Sequence, residues 1–317
     1  MTAQALWCVA AGRAEHRPAT EGEGTRFRAL FSGISRGTER LVAAGRVPPS
    51  EWDRMRAPHQ EGHFPFPVKY GYAMVAEALD GPLAGQAVFA LHPHQDRFRL
   101  PDAAVVPLPA PVPPARAILA ANMETALNIL WDSGAGAGDR IAVVGAGVVG
   151  ALAGYLAARL PGAAVTLVDP EPRADLARAL GCAHALPDRA RESAAGGADV
   201  VIHASATAAG LALALDLAGA EATVVEASWH GAGDTPVPLG GAFHSRRLRL
   251  VSSQVGSIPP ARAPRWTHRR RLEVALSLLA DPALDALISG ETGFADLPAA
   301  YGAILSAPDT LCHRIRY

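Results

Sequence analysis

Residues 141–169 narrow the fold more than any other stretch of this sequence. An apolar run at 141–144 leads into Gly145-Ala146-Gly147-Val148-Val149-Gly150. A good helix former follows at 151–160, and a second apolar run at 164–168 ends on Asp169. A glycine pattern alone is a weak signal. Strand, glycine turn, helix, strand and acid in that order is a strong one for dinucleotide binding. In this reading Gly145 allows the tight turn, Gly147 lets the backbone approach a pyrophosphate, and Gly150 lets the helix pack on the strand. The amides at the helix start, around Val148 and Val149, face the phosphates. Asp169 lies about 20 residues on, where a carboxylate accepts hydrogen bonds from the ribose hydroxyls. The same carboxylate repels a 2′-phosphate, so NAD(H) is expected in preference to NADP(H). Arg173 follows closely and softens that preference.

A chain of 317 residues, half of them hydrophobic, is long enough for two cores. With 29 basic and 30 acidic residues the net charge is −1, which favours neither nucleic acid nor an anionic membrane as partner. Arg269-Arg270-Arg271 is the one basic cluster, read as the solvated start of an amphipathic helix. Cys8, Cys182 and Cys312 are widely spaced and form no paired framework, as expected in a reducing compartment. No signal peptide or membrane-spanning run is apparent, so a cytoplasmic protein is expected.

Before residue 110 the sequence reads as short strands cut by Gly and Pro, with a polar loop at 51–67. Prolines at 107–114 mark a junction. A helix is predicted over 115–131. From 141 strands and helices alternate: strands at 141–144, 165–169, 183–186, 199–204, 222–227 and 248–252, helices at 148–160, 173–180 and 208–218. Such alternation implies a parallel sheet covered by helices on both faces. Helices at 267–280 and 296–306 and a closing strand at 311–317 complete the pattern.

An irregular β domain ahead of a dinucleotide unit, with a short tail behind it, resembles the medium-chain dehydrogenase/reductase superfamily of the zinc alcohol dehydrogenase type. The stretches at 32–39, 65–73, 123–126, 138–141 and 311–317 carry the likeness across nearly the whole chain. The resemblance implies an α/β fold with two domains. One is a GroES-like partial β-barrel, the catalytic domain, over 1–118 and completed by 258–317. The other is a Rossmann doubly wound parallel-sheet domain over 119–257, with the active site in the cleft. It also implies a homodimer through the last strand of the cofactor domain, where Leu248, Leu250 and Val251 are apolar but Arg249 disfavours pairing. Locally, Gly33-Ile34-Ser35, Gly37-Thr38-Glu39 and Gly71-Tyr72 are similar to a branch that includes the bacteriochlorophyllide dehydrogenase.

The departures from the family concern its metal. Ser35 stands where zinc-dependent members have a Cys ligand, Tyr72 where they have a His, and Ala73 beside it where they have an acid. Glu124 alone remains as an oxygen donor. Ser and neutral Tyr are poor zinc ligands, so no zinc is expected and no metal ligand is assigned. A hydrogen-bond donor or general acid must then replace the metal. Tyr72 is the first candidate. Glu124, Ser35 and Thr38 are expected beside it, and Arg36 near the cofactor pyrophosphate. His92 and His94 alternate at strand spacing, and His94 is a candidate proton shuttle if it faces the cleft. Ser205 and Ser228 follow strands whose carboxyl ends face ligands in open parallel sheets. His203 is expected to be a packed core residue. The leading reading is a secondary alcohol/ketone oxidoreductase acting on a small molecule. A zinc-free enone or quinone reductase and a non-catalytic NAD(H)-binding protein stay open beside it.

Overall fold

The computed structural model describes residues 2–194 and 196–317. In chain order, the strands are β1 Gln4–Ala10, β2 Arg13–Pro18, β3 Thr25–Ser35, β4 Glu61–Gly62, β5 Val68–Lys69, β6 Met74–Ala78, β7 Ala87–Ala90, β8 Arg97–Leu100 and β9 Val105–Pro107. Then come β10 Arg140–Val144, β11 Ala164–Val168, β12 Ala183–Ala185, β13 Ala198–His203, β14 Ala218–Glu226, β15 Arg249–Ser252, β16 Ile288–Gly293 and β17 Cys312–Arg316. The helices that matter for the site are α1 Arg36–Ala43, α2 Pro114–Ala117, α3 Ala120–Ser133, α4 Val148–Ala157 and α5 Ala174–Leu180. They continue with α6 Ala190–Ser193, α7 Ala208–Leu217, α8 His268–Leu278 and α9 Leu297–Ser306. The helix predicted over 115–131 is two: α2 and α3 are separate elements.

Two compact units emerge, one running to Ala121 and resuming at Leu272–Tyr317, the other Asn122–Arg271. The segment 258–271 therefore groups with the second unit, although the resemblance assigns it to the first. Its anchors explain this. Trp266 packs on Trp131 with ring centroids 4.6 Å apart, His268 bonds the Gly256 carbonyl, and Arg271 is held by Glu124, Asn128 and Val255.

In the first unit, the described residues form a sheet in the order β16-β17-β3-β6-β7-β9, with β8 also paired to β3, and a smaller sheet β2-β1-β5-β4. Strand β3 is the backbone of the larger one. It pairs antiparallel with β6 on one side and with β17 on the other, placing Ser35 opposite Cys312. Its inward residues Phe27 and Ala29 join Met74, Ala76, Val88 and Phe98 in one apolar core. Packing around Gly33 is close here: a Cβ would lie 3.1 Å from Ile118 Cβ and 3.2 Å from Cys312 Sγ.

In the second unit the order is β12-β11-β10-β13-β14-β15, parallel at every pairing. The order reverses between β10 and β13, and ligands bind outside the carboxyl ends of strands at such a switch point. Ile141–Val144 of β10 are all buried, as an unbroken apolar run covered on both faces should be. Among the described residues no helix is long and apolar enough to cross a membrane.

Candidate active site

The three glycines of the turn at 145–150 stand in different surroundings. Gly145 has φ +101°, a conformation that disfavours any side chain, and a Cβ there would lie 2.6 Å from the Ser205 amide nitrogen. A Cβ on Gly150 would collide with the Gly145 carbonyl, so the first turn of α4 packs on β10 only without one. Gly147 differs from both. It is the N-cap of α4, has an ordinary backbone conformation and offers no side-chain cap, and a Cβ on it would meet nothing within 4 Å. Open space therefore lies beside Gly147 at the start of α4, where Val148 is buried and Val149 half-buried and where the first-turn amides lack intrahelical partners. Asp169 closes the turn: Oδ2 accepts from the Ala146 amide at 2.6 Å and Oδ1 from the Glu171 amide at 2.9 Å. Arg173 is the N-cap residue of α5, directly beyond.

The first unit gathers a second group. Tyr72 precedes β6, Ser35 ends β3, and Thr38 lies in the first turn of α1. The Tyr72 hydroxyl is hydrogen-bonded to both Ser35 and Thr38. Burial pushes the phenol up to about 12, although those two hydrogen bonds pull it down. It therefore stays protonated and neutral throughout the physiological range and can donate a hydrogen bond.

Beneath this group lies a feature that the sequence did not disclose. Glu39 is 1% exposed, and its carboxylate accepts three hydrogen bonds. The Ser35 amide donates to Oε1 at 2.7 Å; Tyr301 Oη–H and His94 Nε2–H donate to Oε2 at 2.8 Å and 3.0 Å. A carboxylate only accepts, so His94 carries its proton on Nε2 and accepts from Ser32 at Nδ1, 2.8 Å away; Tyr317 in turn lies 3.0 Å from Ser32 Oγ. His94 is thus completely buried, not an open-facing proton shuttle, because Glu39 and Ser32 take both its nitrogens. Gly71 makes room for it: φ is +118°, and a Cβ would lie 3.0 Å from the imidazole. His92 is likewise buried, stacked on Phe98 with centroids 4.1 Å apart. Arg36 donates to the Leu305 carbonyl at 3.2 Å, within the first unit.

Glu124 has a partner that sequence reasoning placed in solvent. Arg271 is 2% exposed and donates from Nε to Glu124 Oε1 at 2.9 Å, from Nη1 to Asn128 Oδ1 and from Nη2 to the Val255 carbonyl. Burial raises the Glu124 carboxyl above its ordinary range, and Arg271 only partly offsets this. A carboxylate so engaged is a structural anchor for α3 rather than an open oxygen ligand.

At the carboxyl ends of β13 and β14, Ser205 Oγ lies 2.7 Å from His203 Nε2 and 3.0 Å from Thr207 Oγ1. Ser228 Oγ accepts from the Ala206 amide at 3.0 Å. His203, expected to be inert packing, pairs through Nδ1 with Glu226 at 2.6 Å. Both serines therefore lie at the strand ends that the topology opens to ligands.

No family model matches the sequence. D-guloside 3-dehydrogenase of Escherichia coli K12 is 30% identical over 189 residues, a match that spans 56% of this chain and about half, 54%, of that relative. Among solved structures, a zinc-binding dehydrogenase from Sinorhizobium meliloti bound to NADP, itself of unassigned activity, superimposes with a TM-score of 0.79 at 19% identity, covering 100% of both chains. L-Idonate 5-dehydrogenase of Escherichia coli gives 0.76 at 17% identity, again over 100% of both. The chain has the medium-chain dehydrogenase fold. Its first unit is the GroES-like partial barrel and its second the Rossmann domain, as the resemblance implied.

Proposed function

We propose that the chain is an oxidoreductase that interconverts a secondary alcohol and a ketone with a nicotinamide dinucleotide as hydride carrier. The neutral Tyr72 phenol, held by two hydroxyls in a dehydrogenase fold, carries the reading. Gly145, Gly147, Gly150, Asp169 and the α4 amides would hold the dinucleotide, and Asp169 favours NAD(H) over NADP(H) by repelling a 2′-phosphate. When bound, the cofactor supplies or accepts the hydride. Tyr72 then donates a hydrogen bond, and finally its proton, to the oxygen that gains charge as a ketone is reduced. Ser35 and Thr38 keep the phenol in one orientation. Zinc is not part of this reading. The donors around Tyr72 are neutral hydroxyls, and burial drives the phenol away from ionisation, whereas zinc takes thiolate, imidazole or carboxylate.

The guloside-oxidising relative makes a sugar or glycoside with a free secondary hydroxyl the first substrate class to assay. Strand β15 is the edge of the parallel sheet, with Leu250 36% exposed, which supports a homodimer paired there. A monomer mass by light scattering removes that part.

The test combines calorimetry with NAD(H) and NADP(H), a panel of alcohols, ketones and enones, and Tyr72→Phe. Removing one such donor is expected to lower kcat by about 100- to 1000-fold while leaving cofactor affinity intact. Reduction is also expected to be independent of Tyr72 ionisation up to about pH 11, since burial moves the group from its ordinary 10.0 to about 12. Turnover of enones alone would overturn the alcohol reading, and absence of dinucleotide binding would overturn the cofactor reading.

A further inference from the structure

His203, Glu226 and His230 form a constellation that the reaction above does not use. His203 ends β13, Glu226 ends β14, and His230 follows four residues later. One nitrogen or oxygen from each lies within 4.8 Å of the other two. Glu226 Oε2 is the hub, 2.6 Å from His203 Nδ1 and 3.4 Å from His230 Nε2.

The outer contacts aim these atoms at one another. The Ser228 amide holds Glu226 Oε1 at 2.8 Å, which leaves Oε2 to the histidines. Ser205 Oγ holds His203 Nε2 at 2.7 Å, and Thr207 holds Ser205. His230 Nε2 is shut off from solvent and makes no hydrogen bond within the protein. An imidazole nitrogen in that condition is free to coordinate an ion.

We propose that His203, Glu226 and His230 bind one divalent transition metal, zinc by preference, through His203 Nδ1, Glu226 Oε2 and His230 Nε2. Two imidazoles and a carboxylate are a donor set that zinc takes, with water in the fourth position. Tetrahedral ligands at zinc stand roughly 3.3 Å apart, given bonds of about 2.0–2.1 Å. The Glu226–His230 spacing of 3.4 Å already matches. His203 and Glu226 part by several tenths of an ångström as the proton between them gives way to the metal, and the two imidazole nitrogens, now within 4.8 Å of each other, close onto it. That proton leaves His203 Nδ1 to solvent, and Nε2 takes one up from solvent, so the ring stays neutral with its single proton moved. Nε2–H then donates to Ser205 Oγ, while the Ser205 hydroxyl turns toward Thr207. Ser205 thus serves both tautomers, the usual duty of a residue behind a metal ligand. Glu226 and His230 are 17% and 21% exposed at their side chains, which gives the ion a path in. Burial works against ionisation of Glu226. The His203 and Ser228 contacts outweigh it and hold the carboxyl below its ordinary value, ionised at neutral pH.

The test is titration of metal-free, full-length protein with Zn²⁺ by calorimetry, with X-ray absorption at the zinc edge on the loaded protein. We expect one zinc per chain and a shell of two imidazoles with oxygen and no sulfur. Glu226→Gln and His230→Ala are each expected to weaken binding by on the order of 100-fold or more. Ser205→Ala is expected to weaken it by about 10- to 100-fold. Tyr72→Phe should leave it unchanged, so this result stands or falls apart from the hydride-transfer reading. No uptake, uptake that survives both ligand variants, or a sulfur-containing shell on the unaltered protein would overturn the proposal.

Discussion

His92 sits between Phe98 and His59 in the apolar interior of the first unit, 3% exposed. Burial, reinforced by the charge of Lys69, drives its imidazole from 6.5 down to about 3. The sign of the consequence is fixed. Below pH 6.5 the unfolded chain takes up a proton that the folded one refuses, so stability is lost as pH falls from about 6.5 toward 3. Between pH 7 and 5 this amounts to about 2 kcal/mol, at roughly 1.4 kcal/mol for each pH unit inside the window. Urea melts of the parent and His92→Phe at both pH values check it. The variant should lose clearly less stability on acidification, and an equal loss would place the acid-sensitive group elsewhere. None of this was legible in the sequence, where the alternation of His92 and His94 pointed to an open face. Nor was the Glu39 hub legible. Its partners come from 4, 55 and 262 positions away, and only the folded sheet brings them to one carboxylate.

At the scale of elements, β10, the glycine turn and α4 were readable because every determinant is local. The three glycines nevertheless do different work, and substitution separates them. Gly150→Ala forces a Cβ into the Gly145 carbonyl and should destabilise the protein by about 1–3 kcal/mol. Gly147→Ala has open space and an ordinary φ of −66°, so its melting temperature should be that of the parent. Its methyl group would occupy the open space at the start of α4, however, and dinucleotide affinity should fall at least about 10-fold, the equivalent of about 1.4 kcal/mol. Calorimetry beside thermal melts decides this, and unchanged affinity in Gly147→Ala would move the pyrophosphate elsewhere. The opposite case is α8. Its Arg269-Arg270-Arg271 start reads as uniformly solvated, yet Arg271 faces inward to Glu124 while Arg269 and Arg270 are exposed. Composition cannot mark which of three arginines a helix turns toward the core. Removing one partner of that pair strands a buried charge at a cost of about 3–5 kcal/mol. Replacing both with methionine should cost less than the sum of the single changes by about 1–3 kcal/mol. A double-mutant cycle in urea measures that coupling, and additive losses would mean that Glu124 and Arg271 act independently.

For the whole molecule, the chain passes into the second unit after Ala121 and returns after Arg271, and β17 then enters the first sheet between β16 and β3. The closing strand at 311–317 was legible as strand-like, but its interior place was not, since strand order is a long-range property. Cys312 and Ile315 are completely buried, and β17 has a ladder on each side. Burying an isoleucine contributes about 1.5–3 kcal/mol, and each ladder bond about 0.5–1.5 kcal/mol. Deleting residues 312–317 removes both ladders and also Tyr317, which lies 3.0 Å from Ser32 Oγ in the Glu39 chain. That sum reaches the 5–15 kcal/mol by which an ordinary domain is stable. The parallel sheet β10–β15 is formed wholly by Asn122–Arg271 and contains none of the deleted residues. Hydrogen exchange of the deleted chain should therefore show β3 and β6 unprotected while β10 and β13 keep their protection. If protection persists in β3, the last strand is dispensable to its sheet. If it disappears from β10 and β13 as well, the Rossmann unit depends on the first unit for its own stability.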